Sequence, residues 1–254
     1  MTAIFSLTRR AALALAACAC LATPALAQGE TYKVGSTPSG IPFTFLDVQT
    51  NQITGLMVDI VNAIAAQEGF QADVEATQWS ALIPSLTGGK IDIIAAAMII
   101  SEERARVVTF TDPVYHYGEG LFVINEDETP YRTWDDLAGK VVGVQVGTRY
   151  YDGMTASGKF KEIKVYDAIA DIMRDVSLGR IDAGIADYPI VAYQLGQTQS
   201  NVRLVPEYEP QMAGDVALAV RQNATELLAL LNDGIAKIKE SGELDTIVEK
   251  WGLN

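Results

Sequence analysis

Apolar runs alternate with segments of helical periodicity along most of the chain. Short runs in which nearly every residue is apolar are typical of buried strands, and apolar residues spaced three and four apart are typical of amphipathic helices. In the first half, the strand-like segments are 33–35, 72–76 and 91–96, and the helix-like segments are 56–66, 81–86 and a charged helix that Ser101 can cap. This alternation predicts α/β architecture.

The same order of elements starts again near residue 140. The second set consists of strands at 141–146, 164–166 and 181–186, a helix at 168–178, a late strand at 215–220 and two final helices at 224–239 and 244–251. The pattern therefore predicts two similar units that follow one another in the chain.

Local sequence supports an internal repeat. Residues 85–92 (SLTGGKID) are echoed by residues 177–182 (SLGRID), and the Val-Gly pair at 34–35 is echoed at 142–143. In each copy a helix ends at glycine, a basic residue complements its C-terminus, and a buried strand begins. Internal similarity of this kind is a strong architectural signal, and it predicts two lobes with a cleft between them.

The predicted lobe boundaries follow from the repeat. Residues 28–118 and 216–254 are assigned to the first lobe and residues 119–215 to the second, with a hinge near 118–123 and 212–217. Ligands of open α/β sheets bind beyond the carboxyl ends of the strands. The candidate site residues therefore lie in 97–104, in 147–150 and at Asp187.

The first 27 residues have the order of an export signal. Arg9 and Arg10 precede an uncharged apolar run, and Ala25-Leu26-Ala27 offers a signal-peptidase cleavage pattern. The expectation is a periplasmic protein that begins at residue 28. A twin-arginine signal and a lipoprotein cleavage before Cys18 are the alternatives.

The remaining composition excludes several classes of function. The whole chain carries a formal charge of −13, and removal of the two leader arginines makes it −15, which disfavours nucleic acid and anionic membranes as partners. Both cysteines lie in the leader, so no cysteine nucleophile or cysteine metal site is expected. His116 is interpreted as a structural residue, so no catalytic residue, metal or cofactor is predicted. The sequence has no second long apolar run, so no membrane span is predicted.

Four stretches carry a family resemblance. They are 82–86 (LIPSL), 92–104 (DIIAAAMIISEER), 110–115 (FTDPVY) and 144–148 (VQVGT). Over essentially its whole mature length the chain resembles the periplasmic solute-binding proteins of polar amino-acid ABC importers. The resemblance implies a two-lobed, type II periplasmic-binding-protein-like fold of two open α/β sheets. It also implies a monomer that closes by hinge bending over an amino-acid-like ligand and then docks on the permease subunits.

The resemblance also implies roles for single residues. Arg104 matches the arginine that clamps the ligand α-carboxylate, Asp187 matches the acid that holds the α-ammonium group, and Thr148 matches a second carboxylate donor. The other candidates are the main chains of Ala97 and Ile99, the ring of Trp79, and Gln145 within the matching 144–148 stretch.

Without the resemblance, ordinary structural roles fit these residues. Arg104, in a run of charged residues, is typical of a solvated helix charge, and Asp187 before Tyr-Pro is typical of a helix N-cap. Trp79 is typical of a core position, and Thr148 of a helix cap.

The chain departs from the family pattern at four positions. Gly40 stands where relatives carry a stacking Tyr or Phe, which leaves room for a larger ligand side chain. Ile99 replaces a hydroxyl residue. Arg149 either faces an acidic or carboxamide group of the ligand or points to solvent. Glu119 either pairs with a basic ligand or lies on the surface.

An enzyme on the same fold is the alternative function. Exported cyclohexadienyl dehydratases use this cleft for elimination, which needs a general acid with a raised pKa. Glu119 or Asp187 is the candidate for that acid. An adaptor that presents a bound ligand to a membrane chemoreceptor is compatible with binding as well.

Overall fold

A computed structural model describes residues 29–253 of the chain. The predicted export signal, 1–27, lies outside the described residues. The strands, in chain order, are β1 (Thr31–Ser36), β2 (Ser39–Gly40), β3 (Thr44–Asp47), β4 (Gln52–Thr54), β5 (Gln71–Ala76), β6 (Ile93–Ile94), β7 (Val108–Phe110), β8 (Tyr115–Tyr117), β9 (Glu119–Ile124), β10 (Val141–Gln145), β11 (Glu162–Tyr166), β12 (Ala183–Asp187), β13 (Val202–Leu204), β14 (Gly214–Val216) and β15 (Ala219–Arg221).

The helices connect these strands. They are α1 (Leu56–Glu68), α2 (Leu82–Thr87), α3 (Glu102–Ala105), α4 (Arg149–Ser157), α5 (Ile169–Ser177), α6 (Tyr188–Gln197), α7 (Thr225–Glu240) and α8 (Glu243–Lys250), with short 3-10 helices at Trp79–Ala81 and Trp134–Leu137. Within residues 29–253, no helix combines the length and the apolar character that crossing a bilayer requires.

Two five-stranded sheets share one topology. The first has the order β5-β1-β6-β15-β7 and the second the order β11-β10-β12-β9-β13. In each sheet the first three strands are parallel, the fourth strand runs antiparallel to both of its neighbours, and the fifth strand runs in the same direction as the first three. The predicted internal repeat is thus present as two sheets of the same construction.

The repeated Val-Gly pair has a packing reason. A Cβ atom at Gly35 would overlap the Ile91 side chain, and a Cβ atom at Gly143 would overlap Ile181. Both isoleucines follow the repeated basic residue, so glycine in β1 and in β10 lets the segment that leads into the neighbouring strand pack closely against it. The aspartates that end the two repeats also act alike, because Asp92 accepts a hydrogen bond from the Lys33 N–H in β1 and Asp182 accepts one from the Val141 N–H in β10.

Two predicted strands differ from the structure. The late strand predicted at 215–220 is two strands, since β14 pairs with β8 in a separate ribbon and β15 enters the first sheet. The strand predicted at 91–96 is only β6, although Ile91, Ala95 and Ala96 are buried as well. An apolar run predicts burial but not the point at which ladder pairing stops.

The chain passes between the two sheets along β8 and β14. These strands form an antiparallel ribbon in which His116 lies opposite Asp215. β9 begins directly after β8 and is almost wholly buried in the second sheet. The lobe boundaries and the hinge near 118–123 and 212–217 stay predictions about motion.

Candidate functional site

All nine predicted site residues line two small cavities that lie side by side. Gly40, Ala97 and Gln145 line the first cavity, which has a volume of about 20 Å³. Trp79 and Asp187 line both cavities. The second cavity, of about 10 Å³, is also lined by the remaining four candidates, which are Ile99, Arg104, Thr148 and Arg149.

The position of each residue follows from the two similar sheets. Ala97 and Ile99 lie beyond β6, and Arg104 lies on α3, the helix that follows. In the second sheet Gln145 ends β10 and Asp187 ends β12, while Thr148 caps α4. The carboxyl ends of parallel strands from both sheets therefore meet at the cavities, as expected for open α/β sheets.

Arg104 is not a solvated helix charge, because only 9% of its surface is exposed. Ser101 caps α3 by accepting a hydrogen bond from the Arg104 N–H, which fixes the backbone. The guanidinium donates to the Ile99 carbonyl at 2.7 Å and to the Gly147 carbonyl at 3.3 Å, and it lies 5.4 Å from the centre of the Trp79 ring. Burial lowers the pKa of the guanidinium below its ordinary value, although the group stays cationic at neutral pH.

The carbonyl of Gly147 joins the two sides of the site. It accepts a second hydrogen bond from Trp79 Nε1 at 3.1 Å, so two side chains positioned by the first sheet hold one main-chain oxygen from the second. Gly147 has φ 68°, a left-handed conformation that favours glycine, and it ends the turn between β10 and α4. Trp79 is therefore only partly a core residue, since its indole N–H bridges the site.

Asp187 is an acid held by tyrosine. Its Oδ1 accepts a hydrogen bond from the Tyr150 hydroxyl at 2.9 Å. Burial raises the pKa of its carboxyl from 3.8 to about 6, while the hydrogen bond from Tyr150, the nearby Tyr117 hydroxyl and the charge of Arg104 oppose that rise. Asp187 occupies the N-cap position of α6, but its side chain makes no capping hydrogen bond. Its carboxylate is thus directed to the cavities and not to the helix.

Tyr117 is a site residue that the sequence pattern does not reveal. It lies on β8, lines the second cavity, and donates its hydroxyl to the Ala97 carbonyl at 3.0 Å. Ala97 has φ 53°, and Phe43 stacks on the Tyr117 ring with centroids 5.2 Å apart. Nothing in the local pattern Tyr-His-Tyr indicates which tyrosine faces inward, because that depends on how the ribbon of β8 and β14 sits between the sheets.

Thr148 and Gln145 are both bonded within the second sheet. The Thr148 hydroxyl donates to the Gln145 carbonyl at 2.8 Å and accepts from the Tyr151 N–H at 3.3 Å. Gln145 donates its side-chain amide to the Asp167 carbonyl at 2.8 Å. The expected capping role of Thr148 is confirmed, and its side chain is buried at the wall of the second cavity.

Arg149 is drawn into the site instead of pointing to solvent. Its Nε is buried and, among the described residues, has no hydrogen-bond partner. A Cβ atom at Gly214, on β14, would lie 2.8 Å from Arg149 Nη1 and 2.7 Å from the Ile99 side chain. The guanidinium therefore reaches across to β14, and the absence of a side chain at Gly214 leaves it room.

The expectation of a surface position for Glu119 is wrong. This carboxylate is fully buried and accepts hydrogen bonds from the Tyr208 hydroxyl at 2.8 Å and from the main-chain N–H groups of Gln211 at 2.6 Å and Met212 at 3.1 Å. It ties the start of β9 to the segment that precedes β14. His116, by contrast, is exposed and pairs with Asp215 at 2.8 Å, so both residues act at the crossing between the sheets and not in the cavities.

Comparison with known proteins places this geometry in a family. A family model described as bacterial extracellular solute-binding proteins, family 3, matches residues 32–254. The chain belongs to this family. The L-cystine-binding protein TcyJ of Escherichia coli is 29% identical to this solute-binding protein over 221 residues, which are 87% of this chain and 82% of that protein.

Solved structures are similar over the same range. A mutant of ArgBP from T. maritima has a TM-score of 0.81 and 29% sequence identity, covering 88% of this chain and 96% of its own. An ancestral amino acid-binding protein, AncCDT-1, described as a precursor of cyclohexadienyl dehydratase, has a TM-score of 0.78 and 29% identity and covers 87% and 95%. The predicted family and the two-lobed α/β fold of this solute-binding protein are confirmed.

Proposed function

We propose that this solute-binding protein captures a free amino acid or an amino-acid derivative between its two lobes and delivers it to the permease of an ABC importer. The observation that carries the proposal is the convergence of one buried guanidinium and one buried carboxyl from opposite sheets on adjoining cavities. A zwitterion supplies the two complementary charges. The family and the names of its relatives agree with this ligand class.

The two charged ends of the ligand pair with charged or hydrogen-bonding groups of the site. Arg104 binds the α-carboxylate through a planar fork that makes two parallel charge-assisted hydrogen bonds. Thr148 supports the same carboxylate from the start of α4. Asp187 accepts the α-ammonium group, and the main chains of Ala97 and Ile99 complete the contacts from the first sheet.

The ligand side chain takes the larger cavity. Gly40 and Trp79 bound that space on the first side and Gln145 on the second. A Cβ atom at Gly40 would lie only 3.2 Å from Thr37 Oγ1, so a larger residue at this position would crowd this wall of the cavity.

Binding requires the lobes to separate. Cavities of about 20 and 10 Å³ each have room for about one water molecule and not for an amino acid. Entry of a ligand must break the hydrogen bonds from Trp79 and Arg104 to Gly147 and release Arg104 for the carboxylate. The hinge is proposed at 118–123 and 212–217. Bending there would open this contact without disturbing either sheet. One lobe would consist of 28–118 and 216–254, and the other of 119–215.

The protein is proposed to be a monomer that acts outside the cytoplasm and has no catalytic residue. AncCDT-1 gives the dehydratase alternative a specific basis. Glu119 is a poor general acid because three donors already occupy its buried carboxylate. Asp187 is the better candidate for that role, since its pKa is about 6. Incubation with prephenate or arogenate tests this alternative, and product formation at enzyme-like rates would replace the binding function.

A ligand screen tests the binding function. The chain from residue 28 is assayed by thermal shift against amino acids and their conjugates, and each hit is measured by calorimetry. A ligand that binds only the folded form raises the melting temperature. Arg104→Ala is expected to abolish binding, whereas Arg106→Ala, which removes a charge from the exposed side of the same segment, is expected to preserve it. Equal affinity in both variants would mean that the carboxylate is held elsewhere.

A further inference from the structure

The charges that line the two cavities do not balance a simple zwitterion. Among the described residues that line them, the ionisable groups with formal charge at neutral pH are Arg104, Arg149 and Asp187. The tyrosines there, Tyr117 and Tyr150, stay neutral because burial raises the pKa of each phenol well above 10. One positive charge is therefore left over when an amino acid pairs its two ends with Arg104 and Asp187.

The excess charge belongs to Arg149. The positive charges of Arg149 and Arg104 act on each other, and this repulsion contributes to lowering the pKa of Arg104. The nearby carboxylate of Glu119 lines neither cavity and is held by its own three donors. Arg149 is half-buried with its Nε inside, and a partly buried charge without a counter-charge favours an anionic partner, so the ligand group that binds beside it is expected to be anionic.

The unpartnered Nε of Arg149 agrees with this reasoning. Buried donors are almost always hydrogen-bonded, and at the wall of a ligand cavity a ligand atom can supply the missing acceptor. Within residues 29–253 this Nε has no hydrogen-bond partner, while Nη1 packs closely against Gly214. Arg149 lines the second cavity beside Arg104, so its guanidinium is positioned to meet a ligand that binds there.

We propose that Arg149 selects ligands with a second carboxylate, that is, amino acids or N-carboxyalkyl amino acids that carry one ammonium and two carboxylate groups. The proposal rests on the proposed binding function. The first carboxylate pairs with Arg104 and the ammonium group with Asp187, and the second carboxylate pairs with Arg149. Cationic amino acids are disfavoured, because they would add a third positive charge beside two guanidinium groups.

Matched pairs of ligands test the proposal. Calorimetry compares glutamate with glutamine, aspartate with asparagine, and N-(1-carboxyethyl)alanine with alanine, with arginine as the cationic probe. The wild-type protein is expected to bind at least one acid about tenfold or more tighter than its neutral partner, as a charge-assisted hydrogen bond pair provides. Arg149→Gln is expected to remove that preference, and Arg106→Gln, the matched loss of an exposed charge, to keep it.

Other outcomes separate the two proposals. If the neutral partners or arginine bind as tightly as the acids, the selectivity assigned to Arg149 is wrong while the binding function stands. If Arg149→Gln weakens acid and neutral partner equally, Arg149 shares the first carboxylate and does not bind a second. Because that variant could lose its fold, Arg149→Lys and a thermal denaturation of each variant accompany it. Absence of binding by every amino acid and conjugate would contradict the proposed function itself.

Discussion

The buried carboxyl of Asp187 is expected to destabilise the ligand-free protein at neutral pH. Its pKa is about 6 in the folded chain and returns to about 3.8 on unfolding. Between those values the folded state binds more protons than the unfolded state, so the free energy of unfolding falls as the pH rises through this window. The penalty is small at pH 4, about 0.6 kcal/mol, and complete above about pH 7.

The shift sets the size of the effect. A difference of about two pKa units corresponds to up to about 3 kcal/mol at 1.36 kcal/mol per unit. Asp187→Asn removes the charge but keeps a carbonyl oxygen that accepts the Tyr150 hydroxyl. The variant is therefore expected to be more stable than the wild type at pH 8 by up to about 3 kcal/mol, roughly 6–12 °C in Tm, and to differ little from the wild type near pH 4.

Urea denaturation of the ligand-free proteins at pH 8 and pH 4 measures this difference. Asp73→Asn removes the same charge from an exposed position and serves as the control, with little change expected at either pH. If Asp187→Asn is no more stable than the wild type at pH 8, ionisation of the Asp187 carboxyl does not destabilise the folded protein. If its gain is the same at both pH values, the gain does not come from ionisation. Either result would refute the reasoning.

Substitutions at three further positions test the contacts around the site. Glu119→Gln is expected to destabilise the protein by roughly 2–4 kcal/mol in urea, because an amide NH₂ faces donors where a carboxylate oxygen accepted. Thr148→Ala is expected to cost about 1 kcal/mol in thermal denaturation through loss of the α4 cap, and Thr148→Ser to restore it. Trp79→Phe keeps a ring but loses the hydrogen bond to Gly147, so the ligand-free protein should open more often and show a larger radius of gyration by X-ray scattering.

Each has a result that would contradict it. Glu119→Gln as stable as the control Glu209→Gln, an exposed acid, would mean that the buried carboxylate contributes nothing net. A Thr148→Ser variant as unstable as Thr148→Ala would exclude the cap. An unchanged radius of gyration in Trp79→Phe would show that its indole N–H does not hold the lobes together.

The internal repeat is visible in the amino-acid sequence itself. Residues 85–92 and 177–182 carry the helix end and the strand start in their own letters, and these local signals depend only on neighbouring residues. The two sheets of equal topology follow from them. The late apolar run at 215–220 predicts one strand where the fold has two, because hydropathy does not tell which sheet each half of the run joins.

For the candidate site, less could be predicted from the sequence than for the fold. Spacing alone favours a solvated Arg104, and only the family resemblance predicts that it binds the ligand. In the structure Arg104 is only 9% exposed, because folding brings its guanidinium to the carbonyl groups of Ile99 and Gly147. Glu119 lies in the interior for the same kind of reason, since its donors are about 90 residues further along the chain at Tyr208, Gln211 and Met212.

What the sequence determined by itself was the order of elements, their duplication and the type of residue at the end of each strand. Only the tertiary structure decided which polar groups are buried, with what partners, and that Tyr117 and Arg149 join the site. The physical reason is that periodicity and turn chemistry act between near neighbours. The free energy of a buried charge depends on donors and acceptors that any part of the chain can supply.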